Sequence, residues 1–94
     1  MAAAGFEWDE SKSLRNFRER GFDFEFASRV FDRPCLEEED QRNNYGERRL
    51  VATGVIEETV FVVVYTWRGK KRRIISARLA KKGERDGYRK AYPD

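Results

Sequence analysis

The chain has 94 residues, a net charge of +3 at neutral pH, and equal fractions, 39%, of charged and hydrophobic residues. One domain over residues 1–94 fits this length, and seven Phe, four Tyr and two Trp supply area for a small core. His is absent and Cys35 stands alone, which excludes imidazole catalysis and an intrachain disulfide and leaves too few ligands for a zinc site. No apolar run reaches the roughly 18 residues of a membrane span, and the first residues do not resemble a signal peptide, so we expect a cytoplasmic protein without a cofactor.

The charge is unevenly distributed along the chain. Residues 1–66 contain nine basic and fourteen acidic residues, a net charge of −5, whereas residues 67–94 contain eleven and three, a net charge of +8. A basic segment of this kind is typical of a surface that binds a polyanion, and the acidic part would form a separate surface.

The first third of the chain predicts a short strand and two helices. Residues 6–8 alternate as a strand, and Asp9 and Gly21 are typical of the start and stop of a helix from about Glu10 to Arg20. Leu14 and Phe17 lie three residues apart and mark the apolar face of this helix. A second helix is predicted to begin after Asp23 and to end before Pro34, with an apolar stripe formed by Phe26, Ala27, Val30 and Phe31.

The remaining chain predicts a set of antiparallel strands. Residues 35–39 read as a possible strand, and residues 43–46 have the composition of a turn. Residues 48–56 and 59–67 read as a hairpin, and the second of these strands is apolar on both faces, which predicts a central position in the sheet. Residues 72–79 form a third strand. A last helix follows, although Gly83 and Gly87 weaken it.

The fold class expected from this order is α+β. A short N-terminal strand and two helices packed on one face of an antiparallel sheet of three or four strands would be followed by a C-terminal helix.

The segment "RGKKRRIISARLAKK", residues 68–82, places eight cations in fifteen positions. Strict strand alternation puts Arg72, Ile74, Ser76 and Arg78 on one face and Arg73, Ile75, Ala77 and Leu79 on the face that meets the helices. Cations interleaved with the rings of Tyr65 or Trp67 suit a single-stranded nucleic acid, because cations neutralise phosphates and rings stack on bases. The alternative interpretation is a solvated edge guarded by Lys and Arg.

Cleavage of RNA without a metal is compatible with this composition. It requires alignment of the 2′-hydroxyl and cations that stabilise the phosphorane, which Arg68, Arg73 and Arg78 could supply. Glu47 or Glu84 could act as the base, but Glu84 could equally form a surface ion pair with Arg85. The run Glu37–Asp40 lacks the pattern of a calcium loop and reads as a solvated strand end or a partner contact.

Several segments together resemble the BrnT toxins of bacterial type II toxin–antitoxin pairs. They are "FEWDESKSLRNFRERG", "FASRVFD", "GERR", "VVVYTWRG" and "RRIISARLAKKGERDGY", in this order and over almost the whole chain. The resemblance implies a RelE-like fold and a ribonuclease activity that inhibits translation. It also implies a BrnA-like antitoxin with a ribbon-helix-helix domain, which would form a heterotetramer with the toxin and contact operator DNA, whereas the toxin would contact neither this DNA nor a membrane.

The predicted site follows from the basic segment and the resemblance together. The catalytic set is Arg48, Arg68, Arg73, Arg78 and Glu84, and the RNA-binding set is Tyr65, Trp67, Arg72, Lys81, Lys82, Arg85 and Tyr88. Tyr88 could instead belong to the core. An acidic segment of the antitoxin could occupy the same basic surface.

Two positions depart from the family pattern. Residues 19–21 are Glu-Arg-Gly instead of Lys-His-Gly, and Trp67 replaces a Glu. If that Glu is a base, catalysis is in doubt; if it lines the groove, Trp67 adds a stacking surface. A non-catalytic module that only binds its antitoxin or nucleic acid is therefore the alternative function.

Overall fold

The computed structural model of the protein describes residues 2–3, 5–41 and 46–93. The strands are β1 (Ala2–Ala3), β2 (Phe6–Trp8), β3 (Leu36–Glu39), β4 (Leu50–Ile56), β5 (Thr59–Arg68) and β6 (Lys71–Leu79). The helices are α1 (Glu10–Arg20), α2 (Phe24–Ala27), which continues as a 3-10 helix over Ser28–Asp32, and α3 (Lys82–Ala91). The predicted turn at residues 43–46 lies largely outside the described residues. No helix in the described part of the chain is long and apolar enough to span a membrane.

The six strands form one sheet in the order β1-β2-β6-β5-β4-β3. Strands β3 to β6 make the predicted antiparallel meander. The expectation of a purely antiparallel sheet of three or four strands was wrong, because β2 pairs in parallel with β6, with Phe6 opposite Arg72 and Trp8 opposite Ile74. Alternation within β2 identifies a strand but carries no information about which neighbour it joins or in which direction.

Local capping signals explain where the first two helices begin and end. The Asp9 carboxylate accepts hydrogen bonds from the Ser11 hydroxyl at 2.6 Å and from the Ser11 amide at 2.9 Å. The hydroxyl contact first, and the backbone amides of Lys12 and Ser11 after it, lower the pKa of Asp9. Gly21 adopts a left-handed φ of 89°, and its amide donates to the Phe17 carbonyl at 2.9 Å. The Asp23 carboxylate accepts from the Phe26 amide at 2.8 Å and begins α2. The predicted boundaries are confirmed at these positions.

The predicted apolar face of α1 does not face the core. Leu14 and Phe17 are 47% and 54% exposed, whereas Ser13 and Asn16 are buried. The Ser13 hydroxyl accepts from the Phe24 amide at 2.9 Å, and the Asn16 amide nitrogen donates to the Phe22 carbonyl at 2.9 Å. The polar side turns inward because it satisfies the backbone of the connection to α2.

The central strand β5 separates two cores, which confirms that it is buried on both faces. Phe61 and Val63 pack with Trp8, α2 and the 3-10 helix on what we call the α1/α2 face. Val60 and Val62 pack against Tyr88 on the opposite, α3 face. The expectation that helices cover only one face was therefore wrong, because α3 lies on the other face. Tyr88 of α3 and Tyr92 directly after it attach the helix there, and their hydroxyls donate to the backbone carbonyls of Pro34 and Cys35.

Gly54 allows the 3-10 helix to approach β4 closely. A Cβ at this position would lie 2.9 Å from the Cys35 Sγ and 3.0 Å from the Val30 Cβ. We predict that Gly54→Ala lowers the free energy of unfolding by about 1–3 kcal/mol through overpacking. The matched control is Gly87→Ala in α3, which meets nothing within 4 Å and should stabilise the protein by about 0.5–1 kcal/mol. Urea denaturation measures both, and an equal effect of the two substitutions would contradict the close approach.

Candidate active site

A bulge in β6 divides the basic strand between the two faces of the sheet. Ser76 pairs with Val64 and Ile74 pairs with Tyr65, so Ile75 has no partner of its own and the alternation shifts by one residue. Arg73, Ser76 and Arg78 consequently lie on the α3 face, and Arg72, Ile74 and Ala77 lie on the α1/α2 face. The prediction that Arg72 and Arg78 share a face was wrong, because strict alternation does not anticipate a bulge.

The α3 face carries a concave surface, which we call the sheet groove. Its volume is about 910 Å³. Val51, Val62 and Val64 form an apolar floor. Ser76, Arg78 and Glu84 line one side, and the carboxylates of Glu38, Glu39 and Asp40 line the other with Gln41.

Arg78 and Glu84 are held together at the edge of the sheet groove. Two nitrogens of the guanidinium donate to the two carboxylate oxygens at 2.8 and 2.9 Å, which is the bidentate geometry of a strong charge-assisted pair. Glu84 also accepts a hydrogen bond from the Lys81 amide at 2.8 Å. The carboxylate therefore fixes the Arg78 side chain relative to the start of α3.

The same contacts determine the protonation of Glu84. The hydrogen bonds from Arg78, with smaller contributions from the Lys81 amide and nearby charges, lower the pKa of Glu84 from 4.5 to about 2. A carboxylate with this pKa is ionised at neutral pH and is a poor proton acceptor. The two hydrogen bonds between Glu84 and Arg78 indicate that this carboxylate positions the guanidinium rather than transferring a proton.

The other three arginines predicted to be catalytic lie further along the sheet. Arg73 pairs with Glu7 of β2 at 2.9 Å. Arg68, at the end of β5, lies 3.8 Å from Glu47, and Arg48 lies 3.2 Å from Glu39 on an exposed segment. These side chains do not converge with Arg78 on one point, but Arg68 and Arg73 share its face of the sheet by strand register.

The cations at the start of α3 extend the basic surface beside Arg78. Lys81 and Lys82 are exposed, and Lys82 forms an ion pair with Asp86 at 2.8 Å. Arg85 is also exposed, and its guanidinium donates to the Ala80 carbonyl at 3.0 Å. The helix that carries them begins where Glu84 pairs with Arg78.

Two of the aromatic residues predicted to bind RNA are buried. Tyr65 is 2% exposed, and its hydroxyl donates to Glu37. Tyr88 is 3% exposed and packs in the core of the α3 face. Burial is the main cause that raises the pKa of both hydroxyls. Neither ring has an open face on which a base could stack.

The remaining two members of the RNA-binding set lie on the α1/α2 face. The guanidinium of Arg72 is 4.2 Å from the ring centroid of Phe31 and 4.7 Å from that of Trp67, a cation–π arrangement. Trp67 is 47% exposed. This cluster is separated from Arg78 by the sheet.

Sequence reasoning missed the part of the sheet groove contributed by β3 to β5. Glu38, Val51, Val64 and Ser76 are successive partners in one row across four strands. Glu38 was interpreted as a solvated strand end, and the signal that could have identified it was its position in the alternation of β3. In residues 2–3, 5–41 and 46–93, no three Asp, Glu or Cys side chains converge as metal ligands would.

Comparison with known proteins identifies the family of the chain. The profile of the family described as "Ribonuclease toxin, BrnT, of type II toxin-antitoxin system" matches residues 8–84. This range begins at the last residue of β2 and includes the helical pair, the meander and the Arg78–Glu84 pair. No protein of curated function matches the chain significantly. The chain belongs to the BrnT family, the ribonuclease toxins of type II toxin–antitoxin systems, whose members have a protein antitoxin as partner.

Proposed function

We propose that this protein is a metal-independent endoribonuclease that binds RNA in the sheet groove. Cleavage of the bound RNA would inhibit translation. The observation that carries the proposal is the bidentate pair of Arg78 and Glu84 at the edge of this groove. The pair holds a cationic fork in one orientation beside a concave surface that is large enough for a nucleotide.

Arg78 would act on the phosphate that is cleaved. When the 2′-oxygen attacks phosphorus, charge accumulates on the non-bridging oxygens, and a preorganised guanidinium stabilises that charge. A guanidinium carries five N–H donors, and in Arg78 two of them donate to Glu84 and one donates to the Leu79 carbonyl at 3.3 Å. Glu84 is a positioning residue in this proposal, because its pKa of about 2 makes it a weak base near neutral pH.

The other cations would hold the phosphates on either side. Lys81, Lys82 and Arg85 lie at the start of α3, adjacent to Arg78 in the chain and in space. Arg68 and Arg73 would contact phosphates along the α3 face, and Arg48 would contribute from the end of the sheet. Trp67 and Arg72 would contact RNA only where a strand passes around the sheet to the α1/α2 face.

The proposal includes the domain type and the antitoxin that the resemblance to the family implies. The chain would be one RelE-like domain, with a helical pair on one side of an antiparallel meander and a C-terminal helix on the other. Its antitoxin would be BrnA-like, with a ribbon-helix-helix domain that contacts operator DNA, and the pair would act in the cytoplasm as a heterotetramer.

The proposal is tested by incubating the purified protein with total RNA in excess EDTA and examining the products on a denaturing gel. We expect cleavage that EDTA does not prevent. Cleavage that EDTA abolishes would contradict metal independence. If the RNA stays intact with and without ribosomes, and binding declines with salt at a slope of about −0.7 per neutralised phosphate, the protein is instead a binding module.

A further inference from the structure

Helix α1 exposes apolar side chains to solvent and buries polar ones. Leu14 and Phe17 are 47% and 54% exposed, and Leu79 at the end of β6 is 55% exposed. These side chains are three of the five large hydrophobic residues that are exposed in the described chain. Ser13 and Asn16 occupy the buried side of α1, so the helix is amphipathic with its apolar side outward.

The exposed side chains border a continuous hollow, which we call the α1 patch. One part, of about 620 Å³, lies between Phe17 and Leu79 over the rings of Phe22, Phe26 and Phe61. A smaller part extends along α1 from Phe17 to Leu14. In a chain with 39% charged residues, this contiguous apolar surface is not needed by the core of the protein, which is closed beneath it.

The border of the α1 patch carries charges of both signs, and its two arginines are the ones without a partner carboxylate among the described residues. Arg20 lines the hollow, and Arg18 lies one helical turn from Leu14. Neither forms an ion pair with any described residue; Arg20 donates only to the Asn16 side chain at 3.0 Å. The two carboxylates at this surface are used within the chain, since Asp23 accepts from the Phe26 amide and Glu10 accepts from the Trp8 indole at 3.2 Å.

We propose that the α1 patch is the surface on which the antitoxin docks, through a segment that places apolar side chains in the hollow and acidic side chains beside Arg18 and Arg20. The proposal rests on the proposed pairing with an antitoxin, and family membership supplies a protein partner. A second copy of the chain would compete for the same hollow, and the oligomeric state of the free toxin distinguishes that occupant from the antitoxin.

Docking at the α1 patch would be separate from occupation of the sheet groove. Leu79 pairs with Phe61 on the α1/α2 face, whereas its neighbour Arg78 points to the α3 face. A segment seated on Leu79 would therefore lie against the strand that carries Arg78 without contacting RNA. This arrangement predicts toxin variants that cleave RNA normally but escape the antitoxin.

The test measures binding of the purified antitoxin encoded with this toxin to toxin variants by calorimetry. Phe17→Ser and Arg18→Glu should each weaken binding at least about thirty-fold while the melting temperature and RNA cleavage stay unchanged. The matched controls are Leu36→Ser, an exposed leucine at the other edge of the sheet, and Lys90→Glu, an exposed cation on α3. Both controls should bind within twofold of the wild type.

Three results would overturn the proposal. The first is binding by Phe17→Ser and Arg18→Glu within twofold of the wild type, and the second is a wild-type chain that does not bind the antitoxin. The third is a dimer of the free toxin in analytical ultracentrifugation that Phe17→Ser converts to a monomer, which would assign the patch to a second copy. Loss of RNA cleavage alone would bear on the proposed activity and not on the docking surface.

Discussion

Arg78→Ala is expected to lower the rate of RNA cleavage by about 10²–10³-fold, the usual cost of removing one preorganised donor from a developing oxyanion. The guanidinium is oriented by two hydrogen bonds to Glu84, so its loss removes a donor whose position was fixed before RNA binds. Single-turnover kinetics on a short RNA measures the effect. In a growth assay, the same variant should not be toxic.

Two further variants separate the chemistry of Arg78 from its charge. Arg78→Lys keeps the charge but lacks the planar fork, and we expect it to retain less than a tenth of the wild-type rate. The matched control is Arg29→Ala, which also removes an arginine paired with a glutamate, Glu57 at 3.7 Å, but lies on the α1/α2 side of the sheet. An Arg78→Ala enzyme as fast as the Arg29→Ala control would contradict the assignment of Arg78.

Glu84→Gln is expected to lower the free energy of unfolding by about 1–2 kcal/mol at pH 7 and the cleavage rate by about tenfold. The pKa of Glu84 is about 2 in the folded protein, against 4.5 for an ordinary glutamate. The whole difference corresponds to roughly 3 kcal/mol, and we expect about half because a third of the side chain is exposed.

The pH dependence of stability follows from the direction of this pKa shift. Because the folded pKa is the lower one, the ionised carboxylate stabilises the protein fully above about pH 4.5, and this contribution is lost as the pH falls toward about 2. Urea denaturation at several pH values should show a flatter profile for Glu84→Gln in this interval. Asp86→Asn, which removes an exposed ion pair with Lys82 on the same helix, is the control and should follow the wild type.

The sequence predicts well those elements that are determined by residues close to one another in the chain. Asp9, Gly21 and Asp23 determine helix ends through contacts two to four residues away, and these contacts occur in the structure as predicted. The central position of β5 also follows from its own residues, because a strand that is apolar on both faces must be covered on both. Such features need no knowledge of the rest of the chain.

The elements that sequence mispredicts depend on distant partners. Leu14 and Phe17 were interpreted as the apolar face of α1 from their spacing alone. That face is exposed, because Ser13 and Asn16 form hydrogen bonds with the backbone of residues 24 and 22 and therefore occupy the inner side of α1. The bulge at Ile75 leaves no trace in an uninterrupted strand pattern, yet it moves Arg72 away from Arg78. The parallel pairing of β2 with β6 is likewise a property of the assembled sheet.

The candidate site was predicted in part for the same reason. The cations of β6 and of the start of α3 are evident from composition, and one of them, Arg78, lines the sheet groove. The partner of Glu84 was not evident, because Arg85 is its neighbour in sequence whereas Arg78 is its neighbour in space. Burial of Tyr65 and Tyr88 required the packed structure, since exposed and buried tyrosines have the same spacing in a strand or helix.

The measurement that tests the location of the RNA site most directly is an NMR titration of the labelled protein with a short RNA whose 2′-hydroxyls are methylated and therefore cannot attack. We expect the largest chemical-shift changes at Ser76, Arg78 and Glu84, which line the sheet groove on the α3 face. Shifts confined to Trp67 and Arg72 on the α1/α2 face would contradict this expectation and place the RNA on the other side of the sheet.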